Sequence, residues 1–272
     1  MSGPFELFLF STDPAFIRRA VAGGVSAVVV DWEVAGKAKR QWGFDTEINA
    51  DTFEDLQRVR AATEARVVCR VNPFHSATRG ELEQALGGGA DEVLLPMVRT
   101  TAEVQQVLEW LAGRAGLGIL VETQAAVAMA QELARYPLSR VYVGLNNLAI
   151  DRGCANIFRA LADGTVEQLR QVFQVPFGFG GLTVPDRGFP IPCRLLIGEM
   201  ARLSAGFSFL RRSFKRDVGS GDPAAAVGKI RAALEQARRR SPEQVVSDHR
   251  ELLAAIERAE AFFAARNRGE GL

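Results

Sequence analysis

The chain has 272 residues, 47% of them hydrophobic and 24% charged, an ordinary globular composition with enough length for a sizeable core. Its 33 lysines and arginines nearly cancel 32 aspartates and glutamates, so no charge surplus argues for a nucleic-acid partner or an anionic membrane. No apolar run spans a bilayer, the N-terminus lacks the core and basic flank of a signal peptide, and Cys69, Cys154 and Cys193 show no CxxC spacing, which together predict a cytoplasmic chain with reduced thiols.

Phe5 to Phe10 forms the first predicted strand, ended by Ser11-Thr12-Asp13-Pro14. Thr12 or Asp13 caps a helix that has Pro14 at its first position and runs to Val21. A second strand, Val25 to Val30, ends in Asp31-Trp32-Glu33. The polar stretch from Val34 to Ala50, with Lys37, Lys39 and Arg40, is long for a connection and therefore reads as functional. Asp51 or Thr52 caps a helix to about Glu64, and Arg66 to Val71 is the third strand, closed by Asn72-Pro73. A helix from Thr78 to Leu86 leads to a fourth strand, Asp91 to Leu95. Thr100 or Thr101 then caps a helix with Val104, Val107, Leu108 and Leu111 at helical spacing.

The fifth strand, Gly118 to Val121, is an apolar run met directly by Glu122, as expected of a strand buried on both faces. A helix from Gln124 to Ala134 precedes the sixth strand, Arg140 to Gly144, and another is predicted between Thr165 and Phe173. The seventh strand, Phe177 to Leu182, is rich in glycine. A helix around Leu195, Leu196 and Met200 follows, then the eighth strand, Gly206 to Leu210, ended by Arg211-Arg212. Helices of about 223–239 and 242–266 close the chain.

Eight strands alternating with helices predict a (β/α)8 TIM barrel over residues 1–216. The C-terminal helical extension, 217–272, then completes the barrel or packs on a neighbouring subunit. Strand carboxyl ends share one face of such a barrel, which brings together Asp31, Glu33, Arg70, Glu122, Asn147 and Arg211. Carboxylates facing an arginine suit a hard divalent cation, Mg²⁺ or Mn²⁺, together with an anionic organic acid. Arg70 can hold a carboxylate through two parallel hydrogen bonds. Gly180 and Gly181 admit close backbone approach and can offer N–H groups to a phosphate or carboxylate, although their surroundings lack the GxGxxG spacing of a dinucleotide site. Arg211 and Arg212 are adjacent, so at most one of them faces this site. There is no GKS/T loop, GxSxG turn or HExxH motif. His75 and His249 are too few and too far apart for zinc. His75 is either a general base near the third strand or a solvated loop residue.

Five segments, in order, resemble one family: Val30-Asp31-Trp32-Glu33 with Lys37 and Arg40, Cys69 to Asn72, Glu92 to Pro96, Val121-Glu122-Thr123, and Gly144 to Gly153. The chain is similar over roughly residues 5–216 to the HpcH/HpaI aldolase and citrate lyase β-subunit family, and its first motif is closer to the citrate lyase branch. The resemblance implies a barrel enzyme that breaks or forms carbon–carbon bonds in 2-oxo acids, hydroxy acids or their thioesters. It implies that Arg70 grips the substrate carboxylate, that Glu122 binds Mg²⁺, and that the protein assembles as a trimer or hexamer. Asp31 and Glu33 are then expected to position ligand or a metal-bound water, with Lys37, Gly180, Gly181 and Arg211 along the substrate. One position departs. Asn147 stands where the family has its second metal-binding aspartate, and Asp151 matches a further aspartate of that motif. The amide oxygen can still coordinate, with one negative charge fewer. The loss leaves open a metal-independent reaction on the same barrel, or a non-catalytic relative that binds an acidic metabolite.

Overall fold

The computed structural model describes residues 4–34, 51–211 and 213–267. Eight parallel strands close into a barrel in sequence order: β1 (Glu6–Phe10), β2 (Ala27–Asp31), β3 (Arg66–Arg70), β4 (Glu92–Leu95), β5 (Gly116–Val121), β6 (Arg140–Val143), β7 (Phe177–Leu182) and β8 (Phe207–Leu210), with β8 pairing back onto β1. The strand residues divide by parity, because successive side chains point to opposite faces. Leu7, Leu9, Val28, Val30, Val67, Cys69, Val141 and Val143 pack outward under the helices. Phe8, Ala27, Val29, Val68, Leu94, Leu120, Tyr142, Phe207 and Phe209 fill the interior. Each fully buried Leu, Val or Phe contributes about 1.5–3 kcal/mol, which makes the doubly buried sheet the main source of stability.

The helices begin where the sequence offers caps. In α1 (Pro14–Ala22) the Asp13 carboxylate accepts from the Ala15 and Phe16 N–H groups. Thr52 with Asp55 and Thr100 with Glu103 form capping boxes at α2 (Phe53–Ala62) and α4 (Thr101–Leu111). Between them, α3 (Thr78–Gly87) has no side-chain cap. The predicted helix over 124–134 is broken at Met129 into α5 (Gln124–Ala128) and α6 (Ala130–Leu133). After β6 the chain forms α7 (Leu145–Asp151), α8 (Arg159–Ala162) and α9 (Thr165–Val172); the first two are too short to show a periodic pattern in sequence.

The remaining helices are α10 (Cys193–Arg202), α11 (Ser213–Val218), α12 (Pro223–Arg238), α13 (Pro242–Arg258) and α14 (Glu260–Asn267). The last two replace one predicted helix, with Ala259 as the C-cap of α13. The extension packs on its own barrel. α12 lies against α1 and α10, closing the helical ring, and α13 lies against α10. Phe262 and Phe263 of α14 reach over the carboxyl-end face of the strands, meeting Phe189 and Phe158 at 4.9 and 6.1 Å between ring centroids. No described helix is long and apolar enough to cross a membrane. Cys69, Cys154 and Cys193 are free thiols.

Candidate active site

A cavity of about 1050 Å³ opens at the carboxyl ends of the strands. Phe10, Leu120, Tyr142 and Phe209, the uppermost interior side chains, line its floor, and Arg70, Glu122 and Asn147 form one wall. The phenol of Tyr142 is pushed above its ordinary pKa by burial and stays neutral.

Arg70 ends β3 and pairs in register with Asp31 at the end of β2. Its Nε and Nη2 donate to Asp31 Oδ1 and Oδ2 at 2.9 and 2.7 Å, and Nη1 lies 3.3 Å from Glu33 Oε2. The guanidinium also sits over the Phe10 ring, 5.2 Å from its centroid. Burial works against its charge, but the Asp31 and Glu33 carboxylates outweigh that and hold the pKa above the ordinary arginine value. Neither carboxylate lines the cavity. The sequence assigned Asp31 and Glu33 to the site; both pair with Arg70, and the Glu33 carboxylate also acts on Glu122, raising its pKa. The side-on fork of Arg70 is taken by Asp31, and Glu33 lies beside Nη1, while the residue lines the cavity.

Glu122 follows β5 and is buried. Its Oε1 accepts from the Met97 N–H at 3.0 Å, and its Oε2 accepts from Asn147 Nδ2 at 2.9 Å. Met97 holds a left-handed backbone, φ 54°, which is uncommon for a side-chain-bearing residue and is stored here to aim its N–H at the carboxylate. Gly144 explains itself by contact: a Cβ there would lie 2.3 Å from Glu122 Oε2. Burial raises the Glu122 pKa and the Glu33 carboxylate adds to it, while Arg70, the Asn147 amide and the Met97 N–H pull it down.

Asn147 rides on α7, whose start at Leu145 turns it back over the barrel. Its Oδ1 is buried with no hydrogen-bond partner among the described residues, a costly state for an amide oxygen. Asp151, at the end of the same helix, does not approach the cavity. Its carboxylate accepts from the Gln124 N–H at 2.8 Å and from Arg99 Nη2 at 3.3 Å, so it does not compensate for the missing aspartate.

Arg211 and the β7 glycines line the cavity across from this wall. Three steps along β7, Gly178 to Gly181, match two along β8, Phe207 to Phe209, so β7 bulges, with Gly180 at φ +58°. The bulge turns the Gly181 carbonyl toward Arg211, whose Nε and Nη2 donate to it at 3.3 and 3.2 Å. Lys37 and Arg40 lie outside the described residues. His75 does not line the cavity; its Nε2 is 2.9 Å from Glu81 Oε1. His249 pairs with Glu199 at 3.0 Å between helices. Sequence reasoning missed Phe10 and Tyr142, which parity with Phe8 and Arg140 would have placed inside. It also missed Arg187, Lys215 and Arg216, which reach the cavity from segments after β7 and β8 and carry no local signal.

A model of the HpcH/HpaI aldolase/citrate lyase family matches residues 5–156, more than half of the chain. The protein belongs to that family. Asp31, Glu33, Arg70, Glu122 and Asn147 all fall within the matched stretch. A crystal structure of an HpcH/HpaI aldolase from Desulfitobacterium hafniense DCB-2 shares the fold, with a TM-score of 0.57 at 15% identity over 88% of this chain and 95% of that one. No curated protein matches the chain. Family and fold together support an enzyme of the aldolase/lyase type.

Among the described residues no group of three or more His, Cys, Asp or Glu side chains could hold a metal ion. Mg²⁺, however, keeps several waters and needs only one or two protein oxygens. The Glu122 carboxylate and the unpartnered Asn147 Oδ1 are two hard oxygen donors on neighbouring side chains. They fit such an ion once the Asn147 amide turns its oxygen toward Glu122.

Proposed function

We propose that the protein is a carbon–carbon lyase acting on a small 2-oxo or hydroxy acid, or an acyl thioester of one. The observation that carries this reading is the single wall on which Arg70, held charged and oriented by Asp31 and Glu33, stands beside Glu122 and Asn147 over an apolar floor. Arg70 receives the substrate carboxylate on the N–H donors that Asp31 and Glu33 leave over and so sets the angle of the bond to be broken. Glu122 and Asn147 are the residues that would hold Mg²⁺ or Mn²⁺. Bound there, a divalent cation supplies Lewis acidity for negative charge developing on a substrate oxygen. Phe10, Leu120, Tyr142 and Phe209 keep water from the floor, which strengthens every charge interaction above them. The Met97 N–H and the Asn147 amide hold the Glu122 carboxylate in place, and Gly144 leaves room for it.

One observation favours a metal-independent reaction on the same barrel: Asn147 Nδ2 already satisfies Glu122 Oε2. A thermal-shift screen of the whole chain with pyruvate and related 2-oxo and hydroxy acids, each with Mg²⁺ and with chelator, separates the two. The lyase reading expects stabilisation that needs both acid and metal, release of a 2-oxo acid on turnover, and loss of the metal response in Glu122→Gln. An acid-induced shift that survives chelator and Glu122→Gln unchanged overturns the metal-assisted form.

A further inference from the structure

Two consecutive residues at the end of β5 are bonded to two consecutive residues beyond the end of β4. The Met97 N–H donates to Glu122 Oε1 at 3.0 Å, and the Thr123 hydroxyl donates to the Val98 carbonyl at 2.6 Å. Both bonds are buried. Pro96 has no N–H, so Met97 carries the first backbone donor after β4, and it meets Glu122 from a left-handed backbone, φ 54°. Val98 is fully buried in the core between barrel and helices, which fixes the other end of this short turn.

Thr123 is also the N-cap of α5, where its Oγ1 accepts from the Ala126 N–H at 3.0 Å. Capping needs only an acceptor, which Asp, Asn or Ser supplies as well as Thr does. An ionised aspartate would cap the helix but has no proton to give to Val98. The hydroxyl does both, and its one proton is spent on the Val98 carbonyl. Thr123 is fully buried and does not line the cavity, so it reaches the site only through its neighbours. Without the bond to Val98, the Met97–Val98 turn is pinned at one end only. Nothing then opposes the return of Met97 to an ordinary negative φ, which swings its N–H off Glu122 Oε1. The carboxylate is left with the Asn147 amide at Oε2.

We infer that Thr123 is a positioning residue for Glu122: its hydroxyl braces the Met97–Val98 turn, and the braced turn holds the Met97 N–H on the carboxylate. With Oε1 tied to Met97, Oε2 stays turned to Asn147, and the two side chains stay together for a divalent ion. Partners that orient a metal ligand in this way typically carry about 10–100-fold of the metal affinity. The inference rests on the lyase reading for the ion only; the brace stands on its own contacts.

The test labels the methionine amides of the full chain with ¹⁵N, follows Met97 by NMR without metal, and titrates Mg²⁺ calorimetrically into the same variants. Four methionines keep the spectrum sparse, and Met97→Leu assigns the signal. In Thr123→Val, which keeps the branched shape and loses the hydroxyl, the Met97 amide signal is expected to move. Mg²⁺ affinity is expected to fall about tenfold or more, and Thr123→Ser to restore both. Should Thr123→Val fold poorly, Thr123→Cys keeps an acceptor at the cap and offers only a weak donor to Val98, so the same two readouts change in the same direction. A Met97 signal that stays in place in these variants means that Thr123 only caps α5; it overturns the brace and leaves the lyase reading intact. A signal that moves while Mg²⁺ affinity holds overturns the positioning role. If the signal moves as expected but the unaltered protein binds no Mg²⁺, the brace on Glu122 is sustained and the metal-assisted lyase reading is removed instead.

Discussion

The barrel buries an arginine among carboxylates at each of its two ends, and only the carboxyl-end arginine borders the cavity. At the amino ends of the strands, Arg140 Nε donates to Glu92 Oε1 at 2.5 Å and Nη1 to Glu6 Oε2 at 2.8 Å. The guanidinium lies 4.5 and 4.8 Å from the Phe8 and Phe207 ring centroids, Arg66 adds a bond to Glu6, and Ser139 donates to Glu92. At the carboxyl ends, Arg70 makes an equally complete fork with Asp31 but keeps an edge on a cavity. There a glutamate is raised in pKa by its burial and an amide oxygen stands without a partner. Residue types alone do not separate the two clusters. Position on the barrel does, because the carboxyl-end face carries chemistry and the amino-end face carries stability.

Double replacements sharpen this contrast most. Removing one member of a buried pair strands the other charge and costs about 3–5 kcal/mol, whereas replacing both by apolar groups is often neutral. Arg140→Met alone should therefore lower stability by about that amount, and Arg140→Met with Glu92→Leu should recover most of it with catalysis retained. Arg70→Met should destabilise to a similar degree, and adding Asp31→Leu should recover only part of it, because the buried Glu33 carboxylate also loses Arg70, while binding of any 2-oxo acid should stay lost. Denaturant unfolding paired with acid titration reads both. If the Arg70 double variant still binds the acid, Arg70 is a second structural cluster.

Next in size is Gly144→Ala. The new methyl would press on Glu122 Oε2, and relieving that contact means displacing a carboxylate held by Met97 and Asn147. The cost should be about 1–3 kcal/mol, as for other overpacked positions. The Mg²⁺-dependent thermal shift should disappear with it. A variant that keeps both stability and metal response would mean that the carboxylate is free to move, contrary to its bonding.

Much of this was legible before any coordinates. Eight strands, three helix caps each narrowed to two neighbouring residues, of which Asp13, Thr52 and Thr100 do the capping, and the convergence of Arg70, Glu122 and Asn147 follow from short-range pattern plus the geometry of a closed parallel barrel. What escaped depends on side-chain direction and on irregular segments. The sequence put Asp31 and Glu33 at the carboxyl ends of the strands but could not tell that both pair with Arg70. Helix α7 spans only seven residues with two asparagines in its first turn, so no periodicity announced it. Arg187 on the one hand and Arg211, Lys215 and Arg216 on the other come from two stretches of chain that only the tertiary fold brings to one cavity.

Asn147→Asp is the milder test of the metal end. It restores the second charge, and divalent-ion affinity rises with the number of charged ligands, so Mg²⁺ should bind about tenfold more tightly. In the metal-free protein the same change removes the Nδ2 donor and sets two carboxylates side by side, so its melting temperature without metal should fall. A tighter metal site with a lower metal-free melting temperature is the joint signature expected. An unchanged Mg²⁺ response would place the ion, if the protein uses one, away from Glu122.

The smallest effect belongs to Asp151, and it checks that α7 is read correctly. Its carboxylate accepts from the Gln124 N–H at the start of α5 and from the half-exposed Arg99, both outside the cavity. Asp151→Asn keeps an acceptor for the N–H and loses only an exposed ion pair, which is worth about 0–1 kcal/mol. Unfolding should therefore shift by no more than that, with the Mg²⁺ response and acid binding unchanged. Loss of the metal response would instead show that the end of α7 swings into the site when the ion binds. Asp151, not Asn147, would then supply the second ligand.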